Sequence, residues 1–217
     1  MSVAVLLDLD GTLVDANYQH ALAWFRALRS RGVIVPIWRI HRHIGMGGDQ
    51  LVTAVAGEDV EERYGDELRA AEHEEFLRMR AECEPLAGAS ELLHALHDRA
   101  AAVILASSAS QDDVQHFLGL LDADAVIDGW TSSDDVEKSK PHPDIVRAAL
   151  DKAPDVDRAV MIGDSRWDVE AAARAGLETA CVLTGGWSTQ ELVASGAAAV
   201  FESLVELRSH LEDPPFS

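Results

Sequence analysis

The sequence predicts an α/β fold: a parallel sheet core with helices on both faces, and a group of helices inserted after the first strand. Three observations predict it. Short apolar runs recur at 3–7, 102–106, 159–162 and 179–183, with a weaker run at 125–127, and helical patterns alternate with them. Residues 16–82 break this alternation, with helical patterns and no convincing strand. Polar, chemically capable residues follow the apolar runs, at the strand ends where open α/β sheets bind their ligands.

The first run, Val3-Ala4-Val5-Leu6-Leu7, leads into Asp8-Leu9-Asp10-Gly11-Thr12-Leu13. Residues two apart on an extended chain point the same way, so Asp8 and Asp10 face one spot. Adjacent acids at the end of a buried strand repel each other and lose hydration, and they call for a cation, a proton or a functional reason. Gly11-Thr12 gives a tight exit with a hydroxyl beside the acids.

The inserted segment, 16–82, reads as a helical domain, with 1–15 and 83–217 forming the core. In its first helix Tyr18, Ala21, Leu22, Phe25 and Leu28 are expected to form the apolar stripe, with His20 and Trp24 opposite, facing either the active site or solvent. The Glu- and Arg-rich stretch from 58 to 84 suggests a largely solvated helix. Trp38-Arg39-Ile40-His41-Arg42-His43, followed by Gly45-Met46-Gly47-Gly48, is the most basic patch of an acidic chain. It reads either as ordinary surface or as a substrate loop, with arginine available to a second anionic group. His41 and His43 lack nearby acids or cysteines for a zinc site, and His94 and His97 read as surface.

In the core, Val103-Ile104-Leu105-Ala106 ends at Ser107-Ser108, and Ser110 is a good N-cap for a helix carrying Val114, Phe117, Leu118 and Leu121. Lys138-Ser139-Lys140-Pro141 opens a further helix, and Pro143 suits that helix's first turn. Val160-Met161-Ile162 ends at Gly163-Asp164, with a helix from about Ser165 to a Gly176 C-cap. A carboxylate nucleophile, further acids, a hydroxyl and a lysine suit phosphoryl transfer through an aspartyl-phosphate with magnesium. Plainer readings stand beside these. Ser107 could make only a local turn, Lys138 could compete with Lys140, and Asp168 could be the capping-box partner of Ser165.

Composition narrows the function classes. The chain has 217 residues, 47% hydrophobic and 26% charged, with a net charge of −20. That charge argues against nucleic acid and against an anionic membrane surface, since no basic stripe is present. No apolar run approaches a membrane span. Cys83 and Cys181 lack metal-type spacing and read as free thiols of a reducing compartment, which makes a cytoplasmic location the expectation.

Taken in order, Asp8 to Leu13, Ser107, Lys140 in Lys-Pro-His-Pro-Asp, and Gly163-Asp164-Ser165-Arg166-Trp167-Asp168 resemble the four motifs of the haloacid dehalogenase-like hydrolases. The nearest subgroup comprises the phosphoglycolate phosphatase-like and β-phosphoglucomutase-like enzymes. The resemblance implies a Rossmann-like core with residues 16–82 as a small α-helical cap. It further implies Asp8 as nucleophile, Asp10 as acid and base, Ser107 as hydrogen-bond donor to a phosphoryl oxygen and Lys140 as charge compensator. Magnesium would be held by Asp8, the carbonyl of Asp10 and Asp164, with Asp168 orienting Lys140 or a metal-bound water. Thr12, His20, Trp24, Arg42, Gly47 and Ser108 are the expected substrate contacts.

The function implied is magnesium-dependent hydrolysis of a small phosphorylated metabolite. Three rivals differ from it in the residues they require. A phosphomutase of the related type carries an arginine where this chain reads Gly47-Gly48-Asp49. A metal-independent dehalogenase leaves Asp10 and Asp164 unexplained. A receiver-type signalling module is far shorter and places its aspartate after a later strand.

Overall fold

The first strand, β1 (Val3–Leu7), is apolar throughout because its alternate residues enter two cores: Val5 and Leu7 one, Ala4 and Leu6 the other. The computed structural model describes residues 2–217, the side chain of Asp134 excepted. After β1 come β2 (Val14–Asp15), α1 (Asn17–Ser30), α2 (Ile37–His41), α3 (Gly48–Ala56) and α4 (Glu58–Leu77). Then follow β3 (Glu84–Pro85), α5 (Ala89–His97), β4 (Ala102–Ala106), α6 (Gln111–Leu121), β5 (Gly129–Thr131) and α7 (Asp144–Leu150). The chain finishes with β6 (Arg158–Gly163), α8 (Arg166–Ala175), β7 (Glu178–Val182), α9 (Thr189–Ser195), β8 (Ala199–Phe201) and α10 (Leu204–Ser209).

Six parallel strands form one sheet in the order β5-β4-β1-β6-β7-β8. α5, α6 and α10 pack on one face, through residues such as Leu92, Phe117 and Leu207. α7 and α8 cover the other, through Ile145, Val146, Ala171 and Ala172. This is the α/β sheet with helices on both faces that the alternating runs predict. The strands end in register: Leu7 pairs with Leu105 on one side and Ile162 on the other. Asp8, Ser107 and Asp164 therefore emerge together at the carboxyl edge of the sheet.

The run at 125–127 is not a strand. Val126 is buried in a turn, and the strand begins at Gly129, after the Asp128 carboxylate has accepted the Val103 backbone N–H at 2.8 Å. The apolar run marked a buried anchor beside the strand. α8 starts and stops as its caps dictate, with the Ser165–Asp168 capping box at one end and Gly176 in the left-handed region at the other. Pro143 stands at the N-cap of α7 rather than inside its first turn.

Between β2 and β3, α1 to α4 share a separate apolar cluster that includes Trp24, Leu28, Ile40, Leu51 and Leu68. The two-residue strands β2 and β3 pair antiparallel, Val14 with Pro85 and Asp15 with Glu84. They bring together the chain segments entering and leaving the helical group. The stripe expected on α1 is rotated in the structure: Trp24 is 5% exposed and Tyr18 62%. α1 packs against both α2 and α4, so Ala21, Ala23, Trp24, Ala27 and Leu28 are all buried. α4 is solvated on most sides but buries Leu68 and Phe76. Among the described residues no helix is long and apolar enough to cross a membrane.

Candidate active site

Lys140 organises the centre of the site. It is fully buried, with its Nζ 2.6 Å from Asp8 Oδ1 and 2.8 Å from Asp168 Oδ1. Burial alone would lower the lysine pKa, but the Asp168 and Asp8 carboxylates overcome it and hold the ammonium well above its ordinary range. Burial pushes the Asp8 carboxyl up to about 7 against the opposing pull of Lys140. Lys138, the sequence alternative, is exposed.

Asp168 fills two roles. Its Oδ2 accepts the Ser165 backbone N–H at 3.1 Å and the Ser165 hydroxyl at 2.7 Å, while its Oδ1 faces Lys140. The capping box and the lysine anchor are thus the same side chain. Both of its oxygens are engaged within the protein.

Asp164 is buried at the end of β6. Asn17 Nδ2 donates to its Oδ2 at 2.8 Å, and Thr12 Oγ1 makes a longer contact of 3.4 Å to its Oδ1. Burial and the neighbouring Asp168 and Asp8 charges push the Asp164 carboxyl well above the usual range, although Asn17 pulls it down. Gly11, at φ +80, makes this packing possible. A Cβ there would lie 2.2 Å from Asn17 Nδ2 and 2.3 Å from Asp164 Oδ2.

Oxygens of Asp8, Asp164 and Asp168 lie within 4.8 Å of one another. Clustered buried carboxylates whose protonation is favoured by burial are relieved by a hard divalent cation, and an all-oxygen donor set fits magnesium.

A cavity of ≈ 290 Å³ opens beside Asp8 and Asp10 and runs up to α1 and α4. Trp24, His20, Gly47 and Ser108 line it, as do Arg69, Glu72, His73 and Phe76. Ser107 lies just beneath, fully buried; its Oγ accepts the Ala109 N–H at 3.0 Å and keeps its own proton to donate. Among the described residues Ser108 Oγ has no hydrogen-bond partner. Gly47 is drawn so close to Ser139, the neighbour of Lys140, that a Cβ would sit 2.4 Å from the serine oxygen.

His20 connects α1 and α4 to the acids. Its Nδ1 lies 2.9 Å from Glu72 Oε1 and its Nε2 3.8 Å from Asp10 Oδ1, while its ring stacks on Phe76 with centroids 3.8 Å apart. Burial opposes a charged ring, but the two carboxylates prevail and raise its pKa to about 10.

The sequence reading placed two substrate contacts that the structure puts elsewhere. Thr12 is buried against Asp164, away from the cavity. Arg42 is turned towards the core: it lies over the Trp187 ring, 3.3 Å from the centroid, and its Nη2 is 2.5 Å from Glu191 Oε1. Its neighbours behave alike, with His41 Nε2 3.2 Å from the Gly185 carbonyl and His43 stacked on Trp167. The basic patch seams the helical group to the core. Sequence reasoning missed Asn17, Arg69, Glu72 and His73. Asn17 carried the weak signal of a polar residue at a helix start with no capping role, and the other three sit in a stretch that reads as uniformly solvated.

The comparisons agree with this architecture. The family model described as haloacid dehalogenase-like hydrolase matches residues 3–176. The chain belongs to the haloacid dehalogenase-like hydrolases. It is 32% identical to a phosphoglycolate phosphatase of Rhodospirillum rubrum, over 99% of this chain and 92% of the relative. It is 29% identical to the pyrophosphatase PpaX of Bacillus velezensis, over 94% of each. Among solved structures, a hydrolase from Pseudomonas syringae superposes with a TM-score of 0.90 at 33% identity, covering 98% of this chain and 99% of that one. Within the family, the resemblance is to phosphatases, and the chain is a phosphatase-type hydrolase.

Proposed function

We propose that this protein is a magnesium-dependent phosphatase that hydrolyses a small phosphorylated metabolite through a phosphoryl group carried on Asp8, in the manner of the phosphoglycolate phosphatase-like enzymes. The observation that carries the reading is the buried Asp8–Lys140–Asp168 array beside Asp164, opening on a cavity of metabolite size.

Each residue has a stated task. Asp8 attacks phosphorus, forming an O–P bond as the ester O–P bond breaks. Asp10, at the cavity edge, gives its proton to the departing alkoxide and then takes one from the water that attacks the acyl phosphate. His20, held protonated by Asp10 and Glu72, lies between them and links the helical wall to Asp10. Ser107 and the unpartnered Ser108 hydroxyl donate to phosphoryl oxygens. Lys140 offsets the charge that builds up around Asp8. Magnesium would be held by Asp8, Asp164 and the backbone carbonyl of Asp10, and would neutralise phosphoryl charge. We assign residues 16–82 as the cap that closes over this site.

The mutase reading requires a place for a second phosphate. Among the described residues lining the cavity, Arg69 is the one arginine, and its guanidinium is already paired with Glu61 and Asp66. Hydrolysis is therefore favoured. Phosphate release from a panel of esters tests the proposal: chelation should stop it, magnesium restore it and calcium restore it poorly. Full activity in chelator would refute it.

A further inference from the structure

We infer that the alcohol portion of the substrate is neutral and rich in hydroxyls, and carries no second negative charge. The inference rests on the phosphatase reading above and concerns the part of the cavity which that chemistry does not touch. The wall opposite Asp8 is built by α1 and α4 from Trp24, Arg69, Glu72, His73 and Phe76. Every cation there already has carboxylate partners. Arg69 has Nη1 2.8 Å from Glu61 and Nη2 2.8 Å from Asp66, and it also donates to the Gly48 carbonyl at 3.3 Å. His20 lies between Glu72 and Asp10. His73 lies 3.8 Å from Asp113, whose other contacts are Arg80 and Ser110.

The balance of charge follows from these pairs. Among the described residues that line the cavity, Arg69 and His20, each already paired, stand beside the acids Asp10, Glu72 and Asp113. A carboxylate or second phosphate on the leaving group would enter a negative wall with no cation free to receive it, and like charges brought together in a partly desolvated site repel strongly. The basic patch that could have served is committed to Trp187, Glu191 and Gly185. What the wall offers instead are an acceptor in Glu72, a hydroxyl in Ser108, and the apolar faces of Trp24 and Phe76. Those groups recognise hydroxyls and the C–H faces between them.

The test compares kcat/KM of the full-length, magnesium-loaded protein for esters matched in size: glycerol 1-phosphate against phosphoglycolate and 3-phosphoglycerate, and glucose 6-phosphate against 6-phosphogluconate. The neutral member of each pair should be preferred by roughly tenfold or more. The double variant Glu61→Gln/Asp66→Asn, checked for native circular dichroism, releases Arg69 and should raise kcat/KM for the anionic members several-fold while the neutral ones stay as they were. A preference for phosphoglycolate or 3-phosphoglycerate in the unaltered protein, with p-nitrophenyl phosphate also hydrolysed, overturns this inference and leaves the phosphatase reading standing. An unchanged preference in the double variant overturns the role given to Arg69. Failure to release phosphate from any ester, p-nitrophenyl phosphate included, overturns both readings together.

Discussion

Asn17 holds Asp164 in place: its Nδ2 donates to Asp164 Oδ2 at 2.8 Å in a space that any side chain on Gly11 would fill. Asn17 begins α1, the first helix after β1, whereas Asp164 follows directly on β6. The hydrogen bond fixes one oxygen of Asp164, while Thr12 Oγ1 lies 3.4 Å from the other. Asn17→Ala should weaken magnesium binding by roughly 10- to 100-fold, the usual consequence of removing a group that orients a ligand. Calorimetric titration of magnesium into the variant measures it directly. Unaltered affinity would reduce Asn17 to a structural residue.

Lys140 is the one cation between Asp8 and Asp168. Lys140→Ala removes it and leaves buried acids in mutual repulsion. The fold should lose about 3–5 kcal/mol near neutral pH, as when one partner of a buried ion pair is deleted. The loss should shrink on acidification, because the orphaned carboxyls then protonate. Denaturant unfolding in chelator at two pH values checks both the size and the sign.

His20 ionises abnormally, with its pKa raised to about 10 from an ordinary 6.5. A raised folded-state pKa stabilises the fold fully below the unfolded value and loses that contribution as pH rises through the folded one. The stability gap between the unaltered protein and His20→Gln should therefore be widest below pH 6.5 and close as pH passes about 10. A ring titrating near 6.5 by NMR would contradict the coupling to Glu72 and Asp10.

Arg42 lies over Trp187 and against Glu191, outside the cavity. Arg42→Ala should then change kcat/KM for a metabolite ester and for an aryl phosphate by the same modest factor. A partly exposed ion pair with a cation–π contact is worth about 1 kcal/mol. Selective loss for one ester class would return Arg42 to the substrate.

These residues also show what the sequence disclosed. The strand ends were legible because an apolar run that stops at Asp8, Ser107 or Asp164 has few structural reasons to do so. α8 was legible because Ser165 and Gly176 are capping residues, whose preferences are local. Tyr18 was misplaced because periodicity finds one buried face, while α1 is packed by two neighbours; Trp24 faces the cavity, one of its two expected surroundings. Arg42 was misdirected because a basic patch carries no information on which way it faces, and Trp187 and Glu191 lie about 145 residues further along the chain. Arg69 and Glu72 were hidden for a related reason. Their helix is polar on most sides, and only the tertiary fold selects the few charges that border the cavity.

Asp8 as the carrier of the phosphoryl group is the central claim, and acid-quenched enzyme caught during turnover tests it most directly. Peptide mass mapping should find one phosphoryl group on the segment holding Asp8, absent in Asp8→Asn. That variant should also lose turnover by on the order of a thousandfold or more while keeping the native fold. Near-normal phosphate release by Asp8→Asn, or a phosphoryl group found on another residue, would contradict the account.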